Sequence, residues 1–233
     1  MKGILSKLHQ SMHAEVRRVI LNLLEENSSA QVLDCGCADG GFTQELARKI
    51  GTSEICGFDL VDEFVQAAEA KGIKVYLGDL NNPLPLDSDT FDVVHANQVI
   101  EHLHETDTFV KEIYRILKRG GYAIIATDNL AGLHNMLSLV LGFQPFSACP
   151  SNEVHIGNPI DFYYRMETNR KYPAHLRIFT YRGLKELFEY HGFKVEKLIG
   201  VGYYPFPRTI AKLLSSVDPR HAVCLVIKVR KAM

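Results

Sequence analysis

Apolar residues recur at three- and four-residue steps at the start of the chain: Ile4, Leu5, Leu8, Met12, Val16, Val19, Ile20, Leu23 and Leu24. That spacing predicts an amphipathic helix laid on a core and ending at the polar stretch Asn27-Ser28-Ser29. The period then changes. QVLDC, EICGFDL, IKVYLGD, FDVVHA and YAIIAT are short apolar runs without alternation, the pattern of strands covered on both faces. Between them, FTQELARKI closes at Gly51 and VDEFVQAAEAKG closes at Gly72, while TFVKEIYRILKRGG reads as a helix stopped by its paired glycines. Strands alternating with helices predict a parallel sheet wrapped on both sides, a doubly wound α/β fold. In such folds ligands bind beyond the carboxyl ends of the strands.

The rhythm breaks after Thr127. An apolar stretch, LHNMLSLVLGF, leads into a region rich in Pro, Asn, His and aromatics. Roughly fifty residues without sheet rhythm exceed a plain connector, so 128–178 reads as an inserted, partly helical cap or lid. Regularity returns with FTYRGLKELFEYHG, a helix with Thr180 as N-cap and Gly192 past its end. FKVEKLIGV and HAVCLVIKV then read as two final strands. The expected organisation is a single domain over 1–233, with the N-terminal helix in 1–27 and a ligand-binding core in 28–127. The insertion takes 128–178, and a last helix and strands take 179–233.

Composition narrows this only at the margins. The 233 residues are 46% hydrophobic and 23% charged, enough to bury a full core. A formal net charge of −1 gives no global field for nucleic acid or anionic lipid. Five cysteines without a CxxC pair argue against a disulfide framework and a structural zinc site. The opening MKGILSKLHQSMH is interrupted by Lys7, His9 and Gln10 before any apolar run suited to a secretion signal. No stretch approaches the ~20 apolar residues that span a bilayer. A cytoplasmic protein with reduced thiols is expected.

The candidate chemistry begins at VLDCGCADGGFT, residues 32–43. Gly36, Ala38 and Gly41 match a GxAxxG turn, and Asp59 follows at the end of the next strand, as in a dinucleotide fingerprint. Asp34 speaks against a diphosphate, because a carboxylate at the strand end repels it by several kcal/mol at ~4 Å and low effective dielectric. Asp79, after the third strand, can accept from an exocyclic amine. Three strand-terminal acids suit a ligand with an amino-acid head, a ribose, an adenine and no phosphate, which describes S-adenosylmethionine.

The segments VLDCGCADG, GFDL, GDLNNPLPL, FDVVHANQVIEHL and LKRGGYAIIAT, in this order, resemble the motifs of class I S-adenosylmethionine-dependent methyltransferases of the type 11 group. The likeness covers roughly residues 31–127, with Ala38 where that group usually has glycine. It implies a Rossmann-like, mostly parallel seven-stranded sheet with an antiparallel last strand. It also implies that Asp34, Gly36, Cys37 and Gly40 shape the loop around the methionine moiety. Asp59 would hold the ribose hydroxyls with Leu60 beside the adenine, Asp79 and Leu80 would meet the adenine amine and ring, and Asn97 would line the methionine side. The competing readings are a nicotinamide-dependent oxidoreductase and a non-catalytic cofactor-binding protein.

Methyl transfer asks the protein for alignment, a dry site and, for a hydroxyl acceptor, a base. His102, in the segment Gln98–His104, is the candidate base, since an ordinary imidazole titrates near neutrality. The same segment resembles the Glu-x-x-Glu-His pattern with which quinone-pathway O-methyltransferases and RNA 3′-end methyltransferases hold a divalent metal. Here Gln98 replaces the first acid and a further ligand would have to come from His134, His155 or His175, so no metal is expected. The insertion offers His155, Tyr163, Tyr164, Arg165, His175 and Arg177 toward a small-molecule acceptor, with Arg177 read as an anchor of the lid. Nucleic acid and stable membrane insertion are not expected as partners, and LHNMLSLVLGF is a candidate surface for a homodimer.

Overall fold

A computed structural model of the chain describes residues 2–161, 163–168 and 174–233. The opening helix α1 (Lys2–Leu23) lays Val16 and Ile20, with the following Leu24, on the core. Its apolar positions Ile4, Leu5 and Leu8 lie outside the described side chains. The helix stops at Leu23, short of the expected Asn27. The Leu23 carbonyl accepts from Lys228 Nζ at 2.8 Å and the Glu25 amide donates to Tyr122 Oη at 2.9 Å. Side chains from distant strands thus take the backbone groups a further helical turn would need.

The alternating part runs β1 (Val32–Cys35), α2 (Gly41–Ile50), β2 (Ile55–Asp59), α3 (Asp62–Glu69), β3 (Lys74–Leu77), β4 (Phe91–Asn97), α4 (Thr106–Ile116) and β5 (Leu117–Asp128). The remainder is α5 (Leu133–Val140), α6 (Tyr181–Tyr190), β6 (Phe193–Val201), α7 (Arg208–Val217) and β7 (Cys224–Lys231). The seven strands lie in the order β3-β2-β1-β4-β5-β7-β6. All run parallel except β7, which is antiparallel to both neighbours. This is the expected Rossmann-like sheet, and its carboxyl edge between β1 and β4 is where the strand order reverses.

Both faces of the sheet are covered. Leu33, Val94, Ala123 and Ile227 face Phe109, Ile113 and Ile116 of α4 and Leu184 and Phe188 of α6. Val32, Val93, Ile124 and Val226 face Val16 and Ile20 of α1 and Leu46 and Ile50 of α2. Each of these fully buried side chains contributes roughly 1.5–3 kcal/mol, which fixes the strand register and with it the spacing of the strand ends.

Two elements differ from expectation. The paired glycines after α4 do not end a helix in a loop; α4 stops at Ile116, and Gly120 and Gly121 lie inside β5. A register shift against β4 sits there, Gly120 has φ +79, and a Cβ on Gly121 would stand 3.0–3.1 Å from the carbonyls of Lys118, Phe91 and Asp92. The glycines therefore permit a bulge. Helix α7 has no counterpart among the expected elements. Only Ala211 and Ser215 of its ten residues are buried, so its apolar stripe is too narrow to stand out.

The insertion 128–178 connects β5 to α6, with positions 162 and 169–173 outside the described residues. Among the described residues its one α-helix is α5; elsewhere buried amides organise it. Asn129 Nδ2 donates to the carbonyls of Arg220 and Ala222, Asn135 Nδ2 to Asn129 O and Ser147 Oγ, and Asn158 Nδ2 to Ser138 Oγ and Gln144 O. These bonds satisfy backbone groups that neither helix nor sheet would satisfy. Thr180 caps α6 as expected, its Oγ1 accepting from the Gly183 amide at 3.1 Å.

Candidate active site

The loop after β1 turns through Gly36, Ala38 and Gly40, all at positive φ (71, 48 and 75). The amides of Gly36 and Cys37 both donate to Phe58 O, the Ala38 amide to Asp59 Oδ2, the Gly40 amide to Cys37 O and the Gly41 amide to Asp39 Oδ1. A phosphate site needs such donors free and pointing outward. Here these amides hold the loop onto β2 and onto itself.

The electrostatic argument made on Asp34 placed it at the cleft mouth, which the structure corrects. Asp34 is 2% exposed. Its Oδ2 accepts from Thr43 Oγ1 of α2 at 2.6 Å, and its Oδ1 lies 2.7 Å from His95 Nδ1 of β4. Side chains alternate across a strand, so Asp34 follows Leu33 to the opposite face and braces β1, α2 and β4 together. It stands behind the loop, with no carboxylate at the cleft mouth.

The side chains of Cys37 and Leu80 also turn inward. The Cys37 side chain packs with Val65, Ala68, Ile73 and Val75, and burial, then the charges of Asp34 and Asp59, push its thiol up to about 12. Leu80 belongs to the main core beside Phe58 and Leu84. Both offer a ligand only their backbone. Leu60, by contrast, is half exposed at the end of β2, an apolar wall next to Asp59.

Asp59 is buried and accepts from the Ala38 and Val61 amides at 2.9 and 3.0 Å, which ties the glycine loop to the start of α3. A carboxylate has about four lone-pair directions, so each oxygen retains one for a hydroxyl. Asp79 Oδ1 accepts from the amide and side chain of Asn81, whose own Oδ1 accepts from the His104 and Glu105 amides. The turns after β3 and β4 are thereby one hydrogen-bonded unit. Asn97 ends β4 with its Oδ1 enclosed and unpaired.

Beyond β4, Gln98 takes φ +57 and the chain enters a 3₁₀ turn, Ile100–His102. Glu101 is fully buried; its Oε2 accepts from Thr127 Oγ1 of β5 at 2.9 Å and its Oε1 has no partner. Burial, then the charge of Asp128, raise its carboxyl well above the ordinary range. His175 arrives from the insertion and meets His102 edge-on, with ring centroids 4.8 Å apart. The Leu176 and Arg177 amides both donate to Glu101 O, and Arg177 Nη2 donates to His104 O at 3.2 Å, the anchoring role expected for Arg177. Ligand atoms of Glu101, His102 and His175 all lie within 4.8 Å of one another. His155 and Tyr163 stack on each other, and Arg165 covers the ring of Tyr164.

Sequence reasoning missed Thr43, His95 and Asn81. Asn81, two residues after Asp79, carries the signal of an Asx turn. The Asp34–His95 pair joins adjacent parallel strands whose register no local pattern reveals.

Residues 8–198 match the family model described as "Methyltransferase domain". The chain belongs to this family. It is a class I methyltransferase, and S-adenosylmethionine is the family's methyl donor. The methyltransferase is 27% identical over 223 residues to the human mitochondrial ubiquinone biosynthesis O-methyltransferase, covering 88% of this chain and 55% of that protein. It is also 27% identical over 213 residues to a probable S-adenosylmethionine-dependent methyltransferase of Mycolicibacterium smegmatis, covering 89% of this chain and 66% of that one. The chain thus spans little more than half the length of its ubiquinone-pathway relatives. A solved S-adenosylmethionine-dependent methyltransferase from Mesorhizobium loti has the same fold, with TM-score 0.62 at 20% identity over 93% of this chain and 96% of that one. Another from Methanosarcina mazei gives 0.63 at 19%, over 92% and 97%.

The methyltransferase's own residues fit such a cofactor. The unpaired Asn97 Oδ1 is an acceptor awaiting a donor such as an ammonium, and Asp59 with Leu60 pairs hydroxyl acceptors with an apolar wall. Among the described residues no helix is long and apolar enough to cross a membrane.

Proposed function

We propose that this methyltransferase methylates an oxygen of a small-molecule acceptor. The observation that carries the reading is the meeting, just past the end of β4, of the buried carboxylate of Glu101 with the partly buried imidazoles of His102 and His175. A hydroxyl acceptor must shed a proton as its oxygen is alkylated, and these are the groups to which it can be given. His102 is the side chain to which we assign that proton.

Asn97, Asp59, Asp79 and Leu60, with the backbone of the Gly36–Gly40 loop and of Leu80, would hold the cofactor, and Asp34 acts through Thr43 and His95 to keep the loop in place. The bound cofactor supplies an electrophilic methyl group on a sulfonium. The protein's part is to place the acceptor oxygen, exclude water under the insertion and take the proton. Quinone-pathway O-methyltransferases among the relatives support an oxygen acceptor. The charge balance supports a small molecule over nucleic acid, and the five free thiols support a reducing, cytoplasmic setting. Exposed Leu137, Leu139, Val140 and Leu141 support self-association through the insertion.

The test is transfer of labelled methyl from S-adenosylmethionine to fractionated small-molecule extract, peptide and RNA pools, alongside calorimetry with S-adenosylhomocysteine. Label in an alkali-stable, ether-like product from the small-molecule pool is expected, with submillimolar binding of the demethylated cofactor. Absence of that binding, or label confined to RNA, overturns the proposal.

A further inference from the structure

Between α1 and α7, beside the end of β6, lies a cavity of about 250 Å³. Met12, Val19, Val201, Tyr203, Phe206 and Val223 give it an apolar lining. None of its described lining residues belongs to the site at the ends of β1, β2 and β4. The space exists because α7 turns small side chains inward: Ala211 and Ser215, one turn apart, are the two buried residues of that helix. Larger residues there would close the gap, as protein interiors ordinarily do. An apolar hollow that stays open gains free energy from an apolar chain that fills it.

Charge gathers on the solvent side of the same cavity. Glu15 is the only acid among its described lining residues. Arg18 already engages both oxygens of that carboxylate, Nε donating to Oε2 at 3.0 Å and Nη2 to Oε1. Arg208 Nη2 adds one bond to Oε2 at 3.0 Å, which leaves most of its guanidinium donors unengaged. Lys212 stands one turn further along α7, exposed and without an ion-pair partner among the described residues. Like charges at i and i+4 work against the helix that carries them, and cations in a first turn oppose its dipole. With Glu15 neutralised by Arg18, Arg208 and Lys212 are cations in excess at the rim of an apolar hollow.

From this arrangement we infer that the cavity binds an amphiphilic carboxylate of fatty-acid type, with its aliphatic chain between α1 and α7 and its head at Arg208 and Lys212. A guanidinium presents parallel donors to the two oxygens of a carboxylate, and an ammonium adds a point charge beside it. The chain takes the place of the side chains that Ala211 and Ser215 lack. Occupied, the site packs α7 against α1 and stabilises the folded protein by mass action.

The experiment is calorimetry of the full chain with dodecanoate, held below the concentration at which it forms micelles. Decanoate and octanoate are the shorter probes and dodecanol the uncharged one. Two variants are measured beside the wild type: the double substitution Arg208→Gln with Lys212→Gln, both at exposed positions, and Ala211→Leu, which fills the hollow. Circular dichroism identifies which of them fold. We expect one dodecanoate per chain, with affinity falling about fourfold for each methylene removed. The double variant should bind dodecanoate at least tenfold more weakly and dodecanol as the wild type does, while Ala211→Leu weakens both. The double variant carries the test alone should Ala211→Leu fail to fold, because its altered side chains stand in solvent. No dodecanoate binding by the wild type, affinity indifferent to chain length, or undiminished dodecanoate affinity in either folded variant overturns the inference.

Discussion

Replacing Asp34 by alanine separates a residue that braces the cofactor loop from one that touches the cofactor. In the wild type both carboxylate oxygens are engaged, with Thr43 Oγ1 at 2.6 Å and His95 Nδ1 at 2.7 Å, and all three residues are at most 2% exposed. Alanine leaves two buried polar groups unpaired, each costing about 1–3 kcal/mol, and removing one partner of a buried charged contact typically costs about 3–5 kcal/mol. A loss of about 3–5 kcal/mol is therefore expected. Asparagine should cost less, about 1–3 kcal/mol, since Thr43 can still donate to its carbonyl oxygen. Its amide would face the nitrogen of His95, and moving the imidazole hydrogen to Nε2 would place it on an atom that is enclosed and unpaired. Urea unfolding at pH 7, followed by circular dichroism, gives the stability change. Calorimetry with S-adenosylhomocysteine at low temperature, where every variant is folded, gives affinity. The order wild type, asparagine, alanine in stability is the expected result. An alanine variant that unfolds at the wild-type urea concentration and loses only cofactor affinity would refute the bracing role and restore Asp34 to the cleft.

A histidine of the insertion and the first glycine of the loop give two further outcomes. His134 has an enclosed, unpaired Nδ1 beside Phe146 and Tyr204, and burial lowers its pKa to about 4, with Asp128 opposing. The ring as a whole is only partly buried, but the enclosure of that nitrogen sets the direction. Because the unfolded histidine binds its proton near pH 6.5, stability is intact above that value and falls as pH drops from 6.5 toward 4. Between pH 7 and 5 the wild type should lose about 2 kcal/mol more than His134→Phe in urea unfolding; parallel losses would contradict it. Gly36→Ala places a Cβ 2.4 Å from Val99 Cγ2 at φ +71, so it should destabilise by about 2 kcal/mol or more and weaken cofactor binding. Adding Val99→Ala should recover part of both, and no recovery would show that the clash is not the cause.

The core strands and most helices were legible because periodicity is a local property. A run such as FDVVHA must be covered on both faces wherever it lies, and Gly36 and Gly40 signal positive φ without reference to any partner. The glycine pair after α4 was misread and helix α7 went unassigned because their meaning is non-local. Gly121 is small because Phe91, Asp92 and Lys118 approach it, and α7 is held by a stripe of two buried residues. The insertion was legible only as an interruption, since its order rests on Asn129, Asn135 and Asn158, whose buried amides look in sequence like ordinary loop residues.

The same division holds at the site. The chain by itself determined the order of elements, the turn after β1 and the presence of acids at the ends of β1, β2 and β3, because these depend on residue type and spacing along a few turns or strands. Which way each acid faces was settled only by tertiary structure. Alternation along β1 and its parallel register with β4 bring Asp34 to His95, and folding of the insertion brings His175 to His102 and Glu101. Contacts between residues 61 and 73 positions apart are set by the packing of the whole sheet and its cap, and no short stretch of sequence contains them.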